Sequence, residues 1–443
     1  MRHAARLVML SVILSICASL PARAVGLLRD PDIEHALTQL GTPVLNAAGL
    51  SPSRVQILLV DDQSLNAFVV DANHIFIHAG LLARLDSAAQ LQSVIAHEAA
   101  HIANGHMARR LGNLRTARTA AGLGVALAVA AAASGAGSAA AGLAVGTQSS
   151  AQRVLFSHTR AEESSADQSG VRYLVSAGVD PAAASEVLDI FRGQEALSVS
   201  NQDPYARTHP LTRDRQRALD GYAAAYADQP KTDPTTANYF FARAQGKLTA
   251  FTRAPTWTLR RAKSSATEDI RLMREAVAHH RKPDPKKAIA TIDKLVALRP
   301  NDPFVHELRG QILLESRNFA AAANAYGKAV SLAPNNALIL GGYGRALLAL
   351  GQAQYDRKAQ EVLERARSRD SADARILRDL GQAYARVGQP GLASLATAER
   401  YALSGRLQDA AIHANRASGL LARGSSPWQR AQDVLTAAKA APK

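Results

Sequence analysis

The chain has 443 residues, of which 47% are apolar and 20% charged, with a net charge of +15 and a single cysteine, Cys17. That length implies two or three domains with ordinary hydrophobic cores, and one cysteine excludes a disulfide framework. Aromatic residues make up only 5% and are not interleaved with Lys or Arg, so no stacking platform for nucleic acid is present.

The chain opens on basic Arg2 and Arg6, an apolar run from Leu7 to Leu20 and Ala22-Arg23-Ala24. This predicts a secretory leader over 1–24, cleaved after Ala24, which places the mature protein in the periplasm. The positive charge reads first as a solvated surface, and second as an attraction to an anionic envelope that allows peripheral membrane contact. From Val25 to Leu50 the pattern is mostly helical, with Asp30, Asp32 and Glu34 where acids favour a helix start. Val55–Val60, Asn66–Val70 and His74–His78 read as three strands, the last two joined by a turn at Asp71-Ala72-Asn73. An edge strand of this small sheet could pair with an extended peptide by strand addition.

The stretch from Leu91 to Met107 contains His97, Glu98 and His101 in the pattern H-E-x-x-H, with no Gly or Pro until Gly105. Positions four apart share one helix face, so both imidazoles can reach a single ion, and Glu98 is placed to take a proton from a water that the ion activates. Two His leave a tetrahedral zinc site needing a third protein ligand. Glu162 or Glu163, in the run Thr159-Arg-Ala-Glu-Glu-Ser-Ser-Ala-Asp, can supply it, and Asp167 shares a helix face with Glu163 and could bind the outer nitrogen of a ligand His. Between these motifs, Thr119 to Gln152 carries no charge and is mainly Ala and Gly, which predicts two small-residue helices packed as a hairpin beside the active site, with a membrane-inserted element as the alternative. His209 precedes Pro210, hence an extended loop position. It is an inert loop histidine, or it reaches the metal to steady the oxyanion or to fill the water position at rest. Arg215, in the basic run Arg213, Arg215, Arg217, is a second candidate for the oxyanion.

Residues from about 27 to 220 resemble the gluzincin metallopeptidases, the family that includes HtpX and the CAAX prenyl endopeptidases. The resemblance rests on Arg29-Asp30-Pro-Asp-Ile-Glu34, Asn66-Ala67-Phe68, the HEAAH run, Arg160-x-x-Glu163-x-x-x-Asp167, Gly178-Val-Asp-Pro181, and His209-Pro210 with Arg215. It implies that His97, His101 and Glu163 are the ligands of one zinc ion per chain, Glu98 the catalytic base and His209 a gate over the metal, as in periplasmic relatives. His106 matches a histidine common in the family and is expected to be structural. The chain departs from the family in Thr159, where Ser is usual, and in His158.

Residues 228–268, interrupted by Pro230, Pro234 and Pro255, read as a connector. Beyond it Arg299-Pro-Asn-Asp-Pro303 returns as Ala333-Pro-Asn-Asn-Ala337 after about 34 residues, the tetratricopeptide period. Gly310, Ala322, Tyr326, Ala329 and Pro334 fall at that repeat's spacing. The expected architecture is therefore an α+β metallopeptidase domain over 25–227, mostly helical with a small sheet. An all-α repeat solenoid over 269–443 follows it. The function this implies is an exported zinc endopeptidase for unfolded or misassembled envelope proteins, with the repeats recruiting substrate or outer-membrane assembly machinery. The alternative is a chaperone-like assembly factor in which proteolysis is secondary.

Overall fold

The computed structural model describes residues 26–109, 159–198 and 201–440. The expected leader, the Ala/Gly hairpin of 119–152 and His158 lie outside them. Four strands, β1 (Leu27–Leu28), β2 (Gln56–Val60), β3 (Ala67–Val69) and β4 (His74–His78), form a sheet in the order β1-β2-β4-β3. β2 and β4 are parallel and the other neighbours antiparallel, which leaves β1 and β3 at the edges. The three strands read from the sequence all form. β1 is additional, in a stretch whose periodicity reads as helix. Helix α1 (Pro31–Ala47) starts only after it, because Asp30 is extended and its carboxylate accepts from the N–H groups of Asp32 and Ile33.

The sheet and α1 pack on α3 (Ala88–Ala103), which follows the short α2 (Ala79–Arg84) and is capped by the Ser87 hydroxyl. Thirteen of the sixteen residues of α3 are buried, from Ala88 through His101. A helix covered on all sides and carrying two His and a Glu must satisfy them internally, since stranding them without partners would be costly. Across α3 runs α4 (Arg160–Ser176), opened by a capping box in which Thr159 does the work of a serine: its hydroxyl accepts from Glu162 N–H and the Glu162 carboxylate answers Thr159 N–H. The two helices approach closely at Gly170, where a Cβ would already lie 3.4 Å from the backbone nitrogen of His97. A longer side chain there would separate the helices just where α4 must reach His97. Helices α5 (Ala182–Ile190), α6 (Pro204–Thr208) and α7 (Arg213–Ala225) close this side.

The stretch expected to be a connector is largely helical, α8 (Thr235–Thr252) and α9 (Pro255–Ala262). Pro230 lies in the coil before α8, and the other two prolines start helices, Pro234 as the N-cap residue of α8 and Pro255 as the first residue of α9. Phe241, Ala244 and Leu248 of α8 belong to the core built on α3, while its Ala250 joins the core of the first repeat helices. Ten helices then pair in succession: α10 (Glu268–Arg281), α11 (Pro285–Leu298), α12 (Pro303–Glu315), α13 (Phe319–Leu332), α14 (Ala337–Ala349), α15 (Ala353–Arg369), α16 (Ala374–Arg386), α17 (Pro390–Leu403), α18 (Leu407–Leu420) and α19 (Ser426–Ala440). The Tyr326 ring of α13 fills the space left by two glycines, for a Cβ on Gly310 would lie 2.6 Å from it and one on Gly342 2.4 Å. No described helix is long and apolar enough to cross a membrane.

Buried ion pairs fasten the first part of the chain to the repeats. Arg29 meets Asp370 at 2.7 Å, Arg243 bridges Asp32 (2.6 Å) and Asp302 (2.7 Å), and the fully buried Lys247 lies 3.0 Å from Asp30 and 3.6 Å from Glu307. Burial pushes the Glu307 carboxyl up to about 7, against the pull of Lys247 and with Asp30 and Asp32 adding to the rise. The native chain thus keeps a proton that the unfolded chain releases near the ordinary glutamate value of 4.5. The stability this group contributes is present below that value and is lost as pH rises through about 7. Thermal unfolding of wild type and Glu307→Gln at pH 5.5 and 8.5 checks this. The variant is expected to gain on wild type at the higher pH, and parallel pH profiles would contradict it.

Candidate metal centre and active site

Helical spacing on α3 brings His97 and His101 side by side, their Nε2 atoms 3.1 Å apart. From α4, the Glu163 carboxylate lies 3.4 Å from each of these nitrogens. Nδ1 of His209, which immediately follows α6, completes the group at 3.3 Å from His97 and 3.1 Å from Glu163. Four ligands held about 2.0–2.1 Å from one tetrahedral ion are separated by roughly 3.3 Å. Five separations among the donors of these four buried residues, 3.1–3.4 Å, match such an edge, all four donor atoms lie within 4.8 Å of one another, and the set of three imidazoles and a carboxylate suits one divalent ion.

The outer nitrogens decide which ring atoms are available. His97 Nδ1 faces Asp167 Oδ1 at 3.1 Å, so it carries the proton and leaves Nε2 as a lone pair toward the centre. His209 Nε2 faces the Ala67 carbonyl on the edge strand β3 at 3.1 Å, which leaves Nδ1 to the centre. His101 Nδ1 meets His106 Nδ1 at 2.8 Å. Burial disfavours a charged His97, but Asp167 and Glu163 outweigh it and hold its pKa up, at about 10. The attraction these carboxylates exert on a proton is the one they would exert on a metal ion. His101 goes the other way, pushed down by burial to about 3. Burial would also raise Glu163 and Asp167. His209 and Arg215 instead hold Glu163 well below the usual carboxylate range, and bonds from Arg215 and His97 lower Asp167.

Glu98 is fully buried on α3, with neither carboxylate oxygen hydrogen-bonded and Oε1 at 3.4 Å from His209 Nε2. Burial raises its pKa. Glu162, the alternative ligand in the sequence, is spent on the capping box, and Glu163 takes the inward position. Arg215 does not face an open site. Its guanidinium forks onto Asp167 (2.7 and 2.8 Å), meets Glu163 at 2.8 Å and donates to the Pro210 carbonyl at 2.9 Å.

Comparison with known proteins agrees with this geometry: residues 31–223 match the model of Peptidase family M48. Over that stretch the chain is similar to the family M48 peptidases. The chain is 25% identical over 408 residues to the beta-barrel assembly-enhancing protease of Escherichia coli (strain K12), covering 90% of this chain and 81% of that protein. It is 27% identical over 180 residues to the mitochondrial metalloendopeptidase OMA1 of Schizosaccharomyces pombe, covering 40% of this chain and 49% of that protein. Among solved structures, MamA from Desulfovibrio magneticus RS-1 matches 37% of this chain and 94% of its own at 20% identity and a TM-score of 0.32, a loose likeness.

Three contacts of this site do not follow from spacing in the sequence. The Tyr205 ring packs on the His209 ring at 4.5 Å and on Phe191 at 4.5 Å, so two aromatic side chains hold the histidine in place. The Thr208 hydroxyl meets Asn66 Oδ1 at 3.2 Å, tying the His209 loop to the start of β3. The Ala67 carbonyl that His209 engages belongs to the sheet edge itself.

Proposed function

We propose that the chain is a zinc-dependent endopeptidase of the bacterial periplasm that hydrolyses misfolded or misassembled envelope proteins, with the helical repeats recruiting substrate or partner. The observation that carries this reading is the tetrahedral spacing of His97, His101, Glu163 and His209 beside the buried Glu98. The exported location and the substrate class draw support from the leader read in residues 1–24 and from the relatives named for β-barrel assembly. His97, His101 and Glu163 would hold the zinc, which when bound polarises the scissile carbonyl and makes a water more acidic. Glu98 takes the proton from that water and returns it to the leaving amine. A carboxyl whose pKa burial raises suits both transfers better than an ordinary one. Edge strand β3 offers a backbone on which an extended peptide can align next to the metal.

His209 fills the fourth donor position and the Ala67 carbonyl together, so in this arrangement it stands where a substrate must go. This favours a shielded resting enzyme, and with it the second reading, an assembly factor in which cleavage is occasional. The test is the zinc content and casein cleavage of purified wild type and His209→Ala. One zinc per chain is expected, with cleavage faster in the variant by a factor on the order of 2 to 10, as when a competitor is removed from a mostly closed site. A protein without zinc would overturn the ligand assignment. A zinc-loaded protein inert in both forms would move the assembly factor ahead.

A further inference from the structure

A cavity of about 470 Å³ lies at the junction of the two parts of the chain, away from the metal ligands. One side is formed by the β1–α1 segment and the end of α8, including Leu28, Ile33 and Phe251, and the other by α12, α14 and α16, including Leu338 and Ile376. Its walls mix apolar residues with charged ones, Glu307 among them. That residue is 7% exposed, and its Oε2 has no hydrogen-bond partner. The nearest cation, Lys247, is 3.6 Å from that oxygen and closer to Asp30, at 3.0 Å.

The charges behind this wall do not balance. Asp30, Asp32, Asp269, Asp302 and Glu307 face three cations, Lys247, Arg243 and Arg299, the last reaching Asp269 and Asp302 from 3.8 Å. The three arginines that line the cavity are already bound: Arg29 to Glu34 and Asp370, Arg345 to Asp379, and Arg375 to Asp373. In a chain with a net charge of +15, this is a local excess of negative charge. An anionic ligand would meet repulsion, and a neutral one would leave Glu307 Oε2 unsatisfied. A primary ammonium on an aliphatic stem answers both features, with its methylenes along the leucine, isoleucine and phenylalanine wall and its charge on the carboxylate. The cavity is within the range of pockets that enclose a ligand, larger than one side chain requires, and three successive repeat pairs contribute to it, which suits a stretch of chain.

We infer that this cavity binds a lysine-bearing segment of extended polypeptide, with Glu307 receiving the ammonium. The site works by charge and shape alone and does not depend on the zinc reading. High protonation of Glu307 would weaken it, since burial holds that carboxyl near neutrality in the absence of a ligand cation.

The test uses the full chain carrying Glu98→Gln, so that no probe is consumed, at pH 8. Fluorescence anisotropy compares end-capped, labelled ten-residue peptides that differ only in a central lysine or norleucine, with spermidine as competitor. The lysine peptide is expected to bind at least ten-fold tighter than the norleucine peptide. Glu307→Gln should remove that preference. Thr252→Trp, an exposed position lining the cavity, should weaken binding at least ten-fold with an unchanged circular dichroism spectrum. Equal binding of the two peptides, or a preference that survives Glu307→Gln, would overturn the site, and spermidine displacing the peptide at equal concentration would overturn the polypeptide as its ligand. Chelator-treated protein should bind the peptide as well as untreated protein does. Wild-type protein that holds zinc and fails to cleave casein while this binding persists would therefore count against the peptidase reading and not against this site.

Discussion

Glu98→Gln is expected to slow peptide hydrolysis by about 10³–10⁴-fold, the upper part of the range for a positioned acid–base group, because the same carboxyl serves in both proton transfers. Metal content should not change, since Glu98 is not among the four clustered donors. Nor should stability fall. The wild-type carboxyl is fully buried with no hydrogen bond to either oxygen, an arrangement that penalises its charged form, whereas an amide of the same size carries no charge to desolvate. The expected melting temperature is equal to or above that of wild type. The measurement is casein or peptide cleavage with zinc content and thermal unfolding on the same sample. A variant that keeps its activity would remove Glu98 as the base, and one that loses zinc would show that the carboxylate holds the metal after all. Lost hydrolysis with unchanged metal and an unchanged or higher melting point fits only a group that acts on protons.

What could be read in the sequence is what repeats at short range. H-E-x-x-H on a helix puts two imidazoles on one face by geometry alone, and the structure finds their Nε2 atoms 3.1 Å apart. Strand alternation and the tetratricopeptide period are local signals of the same kind, and both the sheet and the paired helices formed where they were expected. The helices of the connector went unread because a proline marks a helix start as well as a helix end, and nothing next to Pro234 or Pro255 says which. The aromatic clamp on His209, its bond to Ala67 and the Lys247–Glu307 junction join residues far apart in the chain, so they produce no period. Arg215 had a weak signal that a closer reading could use. Arg213 and Arg217 are four apart on one exposed face of α7, whereas Arg215 is four before the buried Leu219 and so turns inward.

That inward placement gives Arg215 a positioning role for the ligands and makes its removal costly. Arg215→Met keeps most of the volume but leaves Asp167 and Glu163, both buried, without the guanidinium that holds their pKa values down. Breaking a buried pair from one side typically costs 3–5 kcal/mol, a fall in melting temperature on the order of 10 °C for a domain of this size. Zinc should narrow the gap, because an ion bound to the native state stabilises it and offsets the charge on Glu163. Arg215→Lys should recover only part of the loss. A lysine keeps the charge but cannot reproduce the fork onto Asp167, at 2.7 and 2.8 Å, together with the ion pair to Glu163 and the bond to the Pro210 carbonyl. The Pro210 bond matters separately, since it anchors the loop that carries His209. Thermal unfolding of the three proteins with and without zinc, alongside cleavage rates, distinguishes this from direct participation in the reaction. If Arg215→Met were as stable as wild type yet slow at saturating substrate, the guanidinium would be acting on the reacting carbonyl. A large stability loss that zinc partly restores places it where the structure does, behind the carboxylates that hold and orient the metal ligands.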